Sequence, residues 1–183
     1  MTAMKDLSAV AIESRRLSLR SFTGADAAES FAAATLVVTR FMGWDPAPSP
    51  AAFAEIWHEW LPRMAAGTDV MLTIRLRSTG EFLGVAGLHR IGTPEPEPGI
   101  WIKEQAQGIG YGREAVAAAI AWAARALGVT SFEYPVAVEN RRSRRVAESL
   151  GGVLAGTRVL RKPSGVVLDE VIYRIPATNA VAI

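Results

Sequence analysis

The sequence contains no cysteine. That excludes disulfides, cysteine-ligated zinc and a cysteine acyl-enzyme, so any group transfer runs directly or through an oxygen nucleophile. Histidine is scarce too: His58 and His89 are the only two, neither lies at metal-ligand spacing from another donor, and no metal site is expected. No apolar run approaches the roughly 20 residues of a membrane span, and no signal-peptide hydrophobic region follows Met1 to Asp6. The expectation is a cytoplasmic chain with no membrane partner. An excess of either charge is also lacking, with 20 Lys and Arg against 18 Asp and Glu. A net charge of +2 does not argue for nucleic acid. The one dense basic cluster, Arg141, Arg142, Arg144 and Arg145, has no interleaved aromatic stacking platform.

What is present suits one domain with a substantial core, since half of the 183 residues are apolar and no composition break divides them. Residues 1–11 carry no periodic signal and are expected to be flexible; 12–176 form the domain and 177–183 a tail. Leu17 and Leu19 alternate with Arg16, Ser18 and Arg20, which predicts a half-buried strand over 12–20. Cap-type residues at 23–26 predict a helix to about Thr35, and Ser49-Pro50 opens another through Met64, its last turn distorted by Pro62. Segments 70–76 and 82–91 read as an antiparallel hairpin. The loop 92–98 is rich in proline, so pairing resumes only near Pro98, in a strand to Lys103. An Ala-rich helix to Leu127, a strand over 132–138, a helix over 140–150 and a closing hairpin over 153–161 and 166–175 complete the chain. This alternation implies an α/β (α+β) fold, a mixed central sheet of about seven strands flanked by about four helices.

Between the strand ending near Lys103 and the Ala-rich helix lies Gln107-Gly108-Ile109-Gly110-Tyr111-Gly112-Arg113. A helix N-terminus leaves its first backbone N–H groups unpaired and carries partial positive charge, and three glycines remove the side chains that would hold an anion away. The turn is not a P-loop, because no Gly-Lys-Ser/Thr ends it. Nor is it a dinucleotide fingerprint, because Arg113 stands where Gly-x-Gly-x-x-Gly needs glycine.

The spacing Gln107-x-x-Gly110-x-Gly112 resembles the pyrophosphate motif of the GNAT superfamily of acyl-CoA-dependent N-acyltransferases. The preceding Glu97-Pro-Gly-Ile-Trp-Ile102 looks like that family's fourth strand. Asn140-Arg-Arg-Ser143 through Gly152 is similar to the second half of the coenzyme site in the RimJ/RimL-like branch, typified by ribosomal-protein N-terminal acetyltransferases. The likeness covers about residues 15–175. It implies acetyl-CoA as co-substrate, with its pyrophosphate on the N–H groups of Ile109 to Arg113 and its pantetheine along the backbone of Trp101 and Ile102. Gln107 and Tyr111 would shape the turn, Gly108, Gly110 and Gly112 keep it open, and Asn140, Ser143 and Arg144 complete the cofactor contacts. It also implies that the strands before and after the turn splay apart.

Transfer from a thioester to an amine needs a neutral amine and a proton for the departing thiolate. A carboxylate is a suitable acceptor for the amine's proton. Glu97 is the residue the resemblance offers as base, with Glu95 beside it. Many family members donate a proton from a tyrosine where this chain has Ala147; Ser143, one helical turn earlier, is the alternative donor. Trp44 and Glu97 are the candidates for contact with the acceptor. The resemblance favours an α-amino group of a protein or peptide as acceptor, a small amine (antibiotic, polyamine or amino acid) being the alternative, and a non-catalytic acyl-CoA-binding regulatory module the reading from another class. Dimers are common in such families, which leaves a homodimer open.

Overall fold

The computed structural model describes residues 5–179. Its N-terminal half is a five-stranded antiparallel sheet in sequence order: β1 (Ala11–Glu13), β2 (Leu17–Ser21), β3 (Val70–Leu76), β4 (Phe82–His89) and β5 (Glu97–Ile102). Three further strands, β6 (Ser131–Ala137), β7 (Val153–Arg161) and β8 (Val167–Pro176), form a second antiparallel sheet in the order β6-β8-β7. The helices are α1 (Ala27–Ala33), α2 (Leu36–Thr39), α3 (Pro50–Ala66), α4 (Tyr111–Leu127) and α5 (Arg141–Ser149).

The expected single strand over 12–20 is a short hairpin, β1 paired with β2, because Ser14 to Arg16 turn the chain. The expected helix to Thr35 is broken at Ala34, whose ψ of 61° is not helical, and Thr35 then caps α2 through its side chain. α3 begins as expected, with the Ser49 side chain accepting from the Ala52 N–H and Pro50 at the first position, and it runs on past Pro62 to Ala66. Residues 7–11 do not behave as a loose terminus. Leu7 is buried, its N–H donates to the Met64 carbonyl at 2.9 Å, and Ser21 donates to its carbonyl at 2.7 Å. Of the expected tail, Ala177 is buried, while 180–183 lie outside the described residues.

Helices cover both faces of the larger sheet. Strand residues of period two put Leu17, Leu19, Leu72, Ile74, Ala86 and Ile102 on one face, packed with α4 residues Ala115, Val116, Ala119, Ile120 and Ala123 in the main core. The small alanines let α4 lie close to the strands, so Ile120, which is fully buried, fills the space between them. The opposite face carries Val85 and Trp101, packed with Phe82, Val38 of α2 and Trp44.

The two sheets meet at β5 and β6. They start side by side, where the Glu133 N–H donates to the Pro96 carbonyl at 3.1 Å, and form no ladder beyond that point. The expected mixed sheet is thus two antiparallel sheets, joined at the base of a V whose open end lies at Ile102 and Ala137. The expected splay of these strands is present.

Candidate cofactor and active site

A cleft of about 830 Å³ occupies the open end of the V. Trp101, Ile102, Gln107, Gly108, Gly110, Tyr111, Gly112, Arg113, Asn140 and Ser143 all border it. Chain segments more than thirty residues apart converge here because two helices begin at the two strand ends, α4 after β5 and α5 after β6.

The turn is held in shape by few contacts. The Gln107 amide donates to the Ile102 carbonyl at 2.9 Å and accepts from Arg142 Nη1 at 3.2 Å, spanning the mouth from β5 to α5. Gly108 and Gly110 have φ of +81° and +88°, the left-handed region that glycine reaches without cost. A Cβ at Gly108 would meet nothing within 4 Å and one at Gly110 only Arg16 Nη2 at 3.6 Å, so both face open space. Gly112 differs. Its missing side chain would touch Ile100 and Ile102 at 3.6–3.9 Å, so its smallness also serves the packing of α4 on β5. Among the described residues, no backbone N–H from Gly108 to Arg113 donates to a protein acceptor; the first such bond in α4 is Glu114 N–H to Gly110 O at 3.2 Å. These free donors sit at the positive end of a helix of 17 residues.

On the α5 side, Asn140 caps the helix, its Oδ1 accepting from the Ser143 N–H at 3.2 Å. Ser143 Oγ lies 2.8 Å from the Tyr134 hydroxyl. Tyr134 is wholly buried, and burial pushes its phenol up to about 12 despite the Ser143 hydrogen bond, so it keeps its proton. A buried O–H needs an acceptor, and Ser143 Oγ is the one in reach. With Tyr134 donating, the Ser143 hydrogen is free to point elsewhere, into the cleft that Ser143 borders. Tyr134 carries no motif and escaped the sequence reading; its place on β6, three residues from the strand's end, is the only hint. Ala147 is wholly buried in the main core.

Arg144 is not on the cleft. Its Nε donates to the Tyr173 hydroxyl at 3.1 Å, and at 3.6 residues per turn it lies about 160° around α5 from Arg142. Arg141, Arg142 and Arg145 border the cleft instead, a choice that helical periodicity could have made. Ile109 is half exposed and faces a second cleft behind the turn.

Glu97 and Trp44 also lie off the cleft border, on the opposite sheet face that Trp101 shares. Trp44 packs edge-on against Trp101, ring centroids 6.4 Å apart. Its loop is anchored to the tip of the β7–β8 hairpin: Lys162, a buried cation, pairs with Asp45 at 3.0 Å and donates to the Thr39 carbonyl at 3.0 Å. The Lys162 hydrogen bond is the main reason that the Asp45 carboxyl titrates below its ordinary range. Glu97 Oε1 accepts from Arg90 and, at 3.1 Å, from Arg158, whose Nε also holds the buried Glu170 at 2.6 Å. Arg90 in turn pairs with Glu133 at 2.9 Å. Among the described residues no protein donor reaches Glu97 Oε2. Directly opposite Glu97 in the β4–β5 register stands His89, whose Nδ1 is 2.8 Å from Asp69 Oδ1. The His89 ring lies over Gly87 and Gly99, where Cβ atoms would come within 2.7 and 3.7 Å of Nε2. Two facing glycines thus make a bare patch that this imidazole covers. Glu95, the neighbour of the expected base, is engaged by Arg174 and Ser131.

Residues 16–153 match the sequence profile of the acetyltransferase (GNAT) domain. The chain belongs to the GNAT acetyltransferase family. Solved structures with the same fold include a spermidine N-acetyltransferase from Vibrio cholerae in complex with CoA and spermine. It is 18% identical, covers 92% of this chain and 99% of its own, and has a TM-score of 0.78. A ribosomal-protein-S5-alanine acetyltransferase from Vibrio fischeri has a TM-score of 0.73 at 18% identity, over 92% of this chain and 97% of its own. A GNAT-family acetyltransferase from Bacillus anthracis has a TM-score of 0.77 at 18% identity, over 92% and 99%. Comparison with curated proteins returned no match. At these identities the likeness is one of fold. Among the described residues, no helix is long and apolar enough to cross a membrane.

The cleft fits a coenzyme A. Unpaired N–H donors line the turn, the glycines leave its surface open, and Arg113, Arg141, Arg142 and Arg145 surround it with positive charge.

Proposed function

We propose that this GNAT protein is an acetyl-CoA-dependent N-acetyltransferase that acts by direct attack of an amine on the thioester. The observation that carries the proposal is the run of unsatisfied backbone N–H groups from Gly108 to Arg113 at the mouth of a V formed by β5 and β6. Such donors suit a diphosphate, since they are several, adjacent and aligned with the α4 dipole. The cofactor supplies the activated acyl group and a thiol leaving group. The rest of the chemistry falls to side chains. Glu97, through its free Oε2, takes the proton that the amine loses, and Ser143, its hydrogen released by Tyr134, donates toward the sulfur. Beyond the V's base β5 pairs with no strand on the β6 side; the Ile102 carbonyl on that edge is held by Gln107, and the Ile102 N–H beside it is the group available to a pantetheine carbonyl.

An α-amino group of a protein or peptide is the acceptor the electrostatics favour. A polyamine would need several unpaired carboxylates, and around Glu97 the carboxylates of Glu133 and Glu170 are already held by Arg90 and Arg158. The RimJ/RimL-like branch, suggested by Asn140 and Ser143 at the start of α5, agrees with that acceptor class.

The test is release of coenzyme A thiol from acetyl-CoA by the purified protein, across peptides of varied N-terminal residue, polyamines, aminoglycosides and amino acids. Turnover with peptides that Glu97→Gln abolishes is the expected result. Turnover with a polyamine alone would overturn the acceptor assignment. Thiol release from none of them, by protein that acetyl-CoA still stabilises against heat, would favour a binding module over an enzyme.

A further inference from the structure

Arg16 sits in the turn between β1 and β2, remote in sequence from the glycine turn, yet its side chain reaches that turn and the start of α4. Its backbone N–H and its Nε each reach a Glu114 carboxylate oxygen at 2.7 Å, and Ser14 adds a hydroxyl to the same group at 2.8 Å. Arg16 Nη1 donates to the Ile109 carbonyl at 3.2 Å, and the guanidinium lies 4.6 Å over the Tyr111 ring. Residues on both sides of Gly110 are therefore gripped by one side chain.

The direction of the Ile109 carbonyl decides what this grip does. The peptide between Ile109 and Gly110 is trans and planar, so its carbonyl and its N–H point to opposite sides. Arg16 draws the carbonyl toward the second cleft, of about 660 Å³, behind the turn; Ile109 borders that cleft and not the first. Gly110 borders both clefts, and with the carbonyl drawn to one its N–H, on the other side of the plane, is the group left for the cofactor cleft. Glycines with φ of +81° and +88° flank this plane and its neighbour, and the turn itself offers little resistance to a flip. A flipped plane would set a carbonyl oxygen against a bound diphosphate, replacing attraction with repulsion.

The structure assigns Arg16 as the positioning residue of the diphosphate turn: through Ile109, Tyr111 and Glu114 it fixes the peptide plane whose N–H meets the cofactor. The assignment rests on the acyl-CoA reading above and adds to it a residue from the far end of the chain. Glu114 serves as the anchor. Burial would raise its carboxyl, but the Arg16 backbone and side chain and the Ser14 hydroxyl outweigh that and hold it below the ordinary carboxylate range, so it stays charged against the guanidinium.

The experiment measures Kd by calorimetry for the full chain and for Arg16→Ala and Arg16→Gln, against acetyl-CoA and against S-acetylpantetheine, which has the same thioester arm and no diphosphate. Arg16→Ala should weaken acetyl-CoA binding about tenfold, and Arg16→Gln, whose amide can still donate to Ile109, about threefold. Affinity for S-acetylpantetheine should stay within about twofold in both, a selectivity that general loosening of the fold would not give. Equal losses for the two ligands, or undiminished acetyl-CoA affinity in Arg16→Ala, would overturn the assignment. Circular dichroism identifies a variant that fails to fold; in that event Glu114→Gln, which keeps the shape and removes the anchoring charge, should show the same selective loss. Failure of the unaltered protein to bind acetyl-CoA would overturn the acyl-CoA reading itself, whereas normal binding by both it and Arg16→Ala overturns the role of Arg16 alone.

Discussion

The two sides of the V are built in different ways. On the proposed cofactor side the groups that would meet the ligand are backbone N–H donors of one short segment, and the side chains of Gln107 and Arg16 bond to that segment. On the acceptor side the groups are side chains, and they come from separate places: Glu97 from β5, His89 from β4, Arg158 from β7, Trp44 from a loop pinned by Lys162. A backbone site depends on where glycine is allowed. A side-chain site depends on which strands happen to lie together.

That contrast can be broken most sharply at Gly110. Valine there must take up a left-handed φ, at about 1–2 kcal/mol, and places a side chain in the open face of the turn. Acetyl-CoA affinity should fall by about 30-fold or more, measured by calorimetry on variant protein whose circular dichroism is unchanged. An unchanged Kd would refute a backbone site.

The acceptor side should respond in rate and not in cofactor affinity. Glu97→Gln should lower turnover about 100-fold and leave the Kd for acetyl-CoA within about twofold. His89→Gln is the comparison that sharpens this, because an imidazole oriented by Asp69 over the Gly87–Gly99 patch is the other base in the neighbourhood. If His89→Gln shows the larger loss, the base belongs to the Asp69–His89 pair and Glu97 serves to hold Arg90 and Arg158.

A smaller effect is expected from Tyr134→Phe. It removes only the hydroxyl that occupies Ser143 Oγ, so turnover should fall about tenfold as the Ser143 hydrogen loses its fixed direction, with cofactor affinity unchanged. A drop in affinity equal to the drop in rate would mean that Ser143 positions the cofactor and does not assist the leaving group.

Acid supplies a gentler test of the support behind the turn. The folded Glu114 carboxyl is depressed below its unfolded value of about 4.3, so its ion pair with Arg16 stabilises the fold fully above that pH and is lost as pH falls through the lower, folded value. The melting temperature lost in Glu114→Gln should therefore be constant from pH 7 to about 5 and shrink below about pH 4. A difference that grew in acid would contradict the depressed carboxyl. Least affected of all should be Arg144→Ala: its guanidinium serves Tyr173, and acetyl-CoA affinity should stay within about twofold.

The same contrast governs what could be read from the chain. The element sequence was legible because its signals are local: Ser49-Pro50 opening α3, Gly128 closing α4 with φ of +72°, Asn140 capping α5. The open glycine turn before α4 was legible because glycine spacing next to a helix start is a local signal. Where the expectation failed, the cause was tertiary. The first strand became a hairpin whose turn must deliver Arg16 to Glu114, and Leu7 was drawn into a core that the composition of residues 1–11 does not announce. Arg144 was a miss of a different kind, since the face of α5 that it occupies follows from helical periodicity. Neither the Tyr134–Ser143 pair nor the arginines around Glu97 leave any mark at sequence spacing, because each contact joins residues of different elements or of a loop and a strand.

The most direct test of the central claim follows the backbone amides themselves. In a titration of isotope-labelled protein with acetyl-CoA, the N–H resonances of Gly108 to Arg113 should shift most, together with Ser143, and the Gly110→Val variant should lose those shifts. Saturable binding that leaves the amides of the turn in place while moving others would contradict a diphosphate held by this backbone.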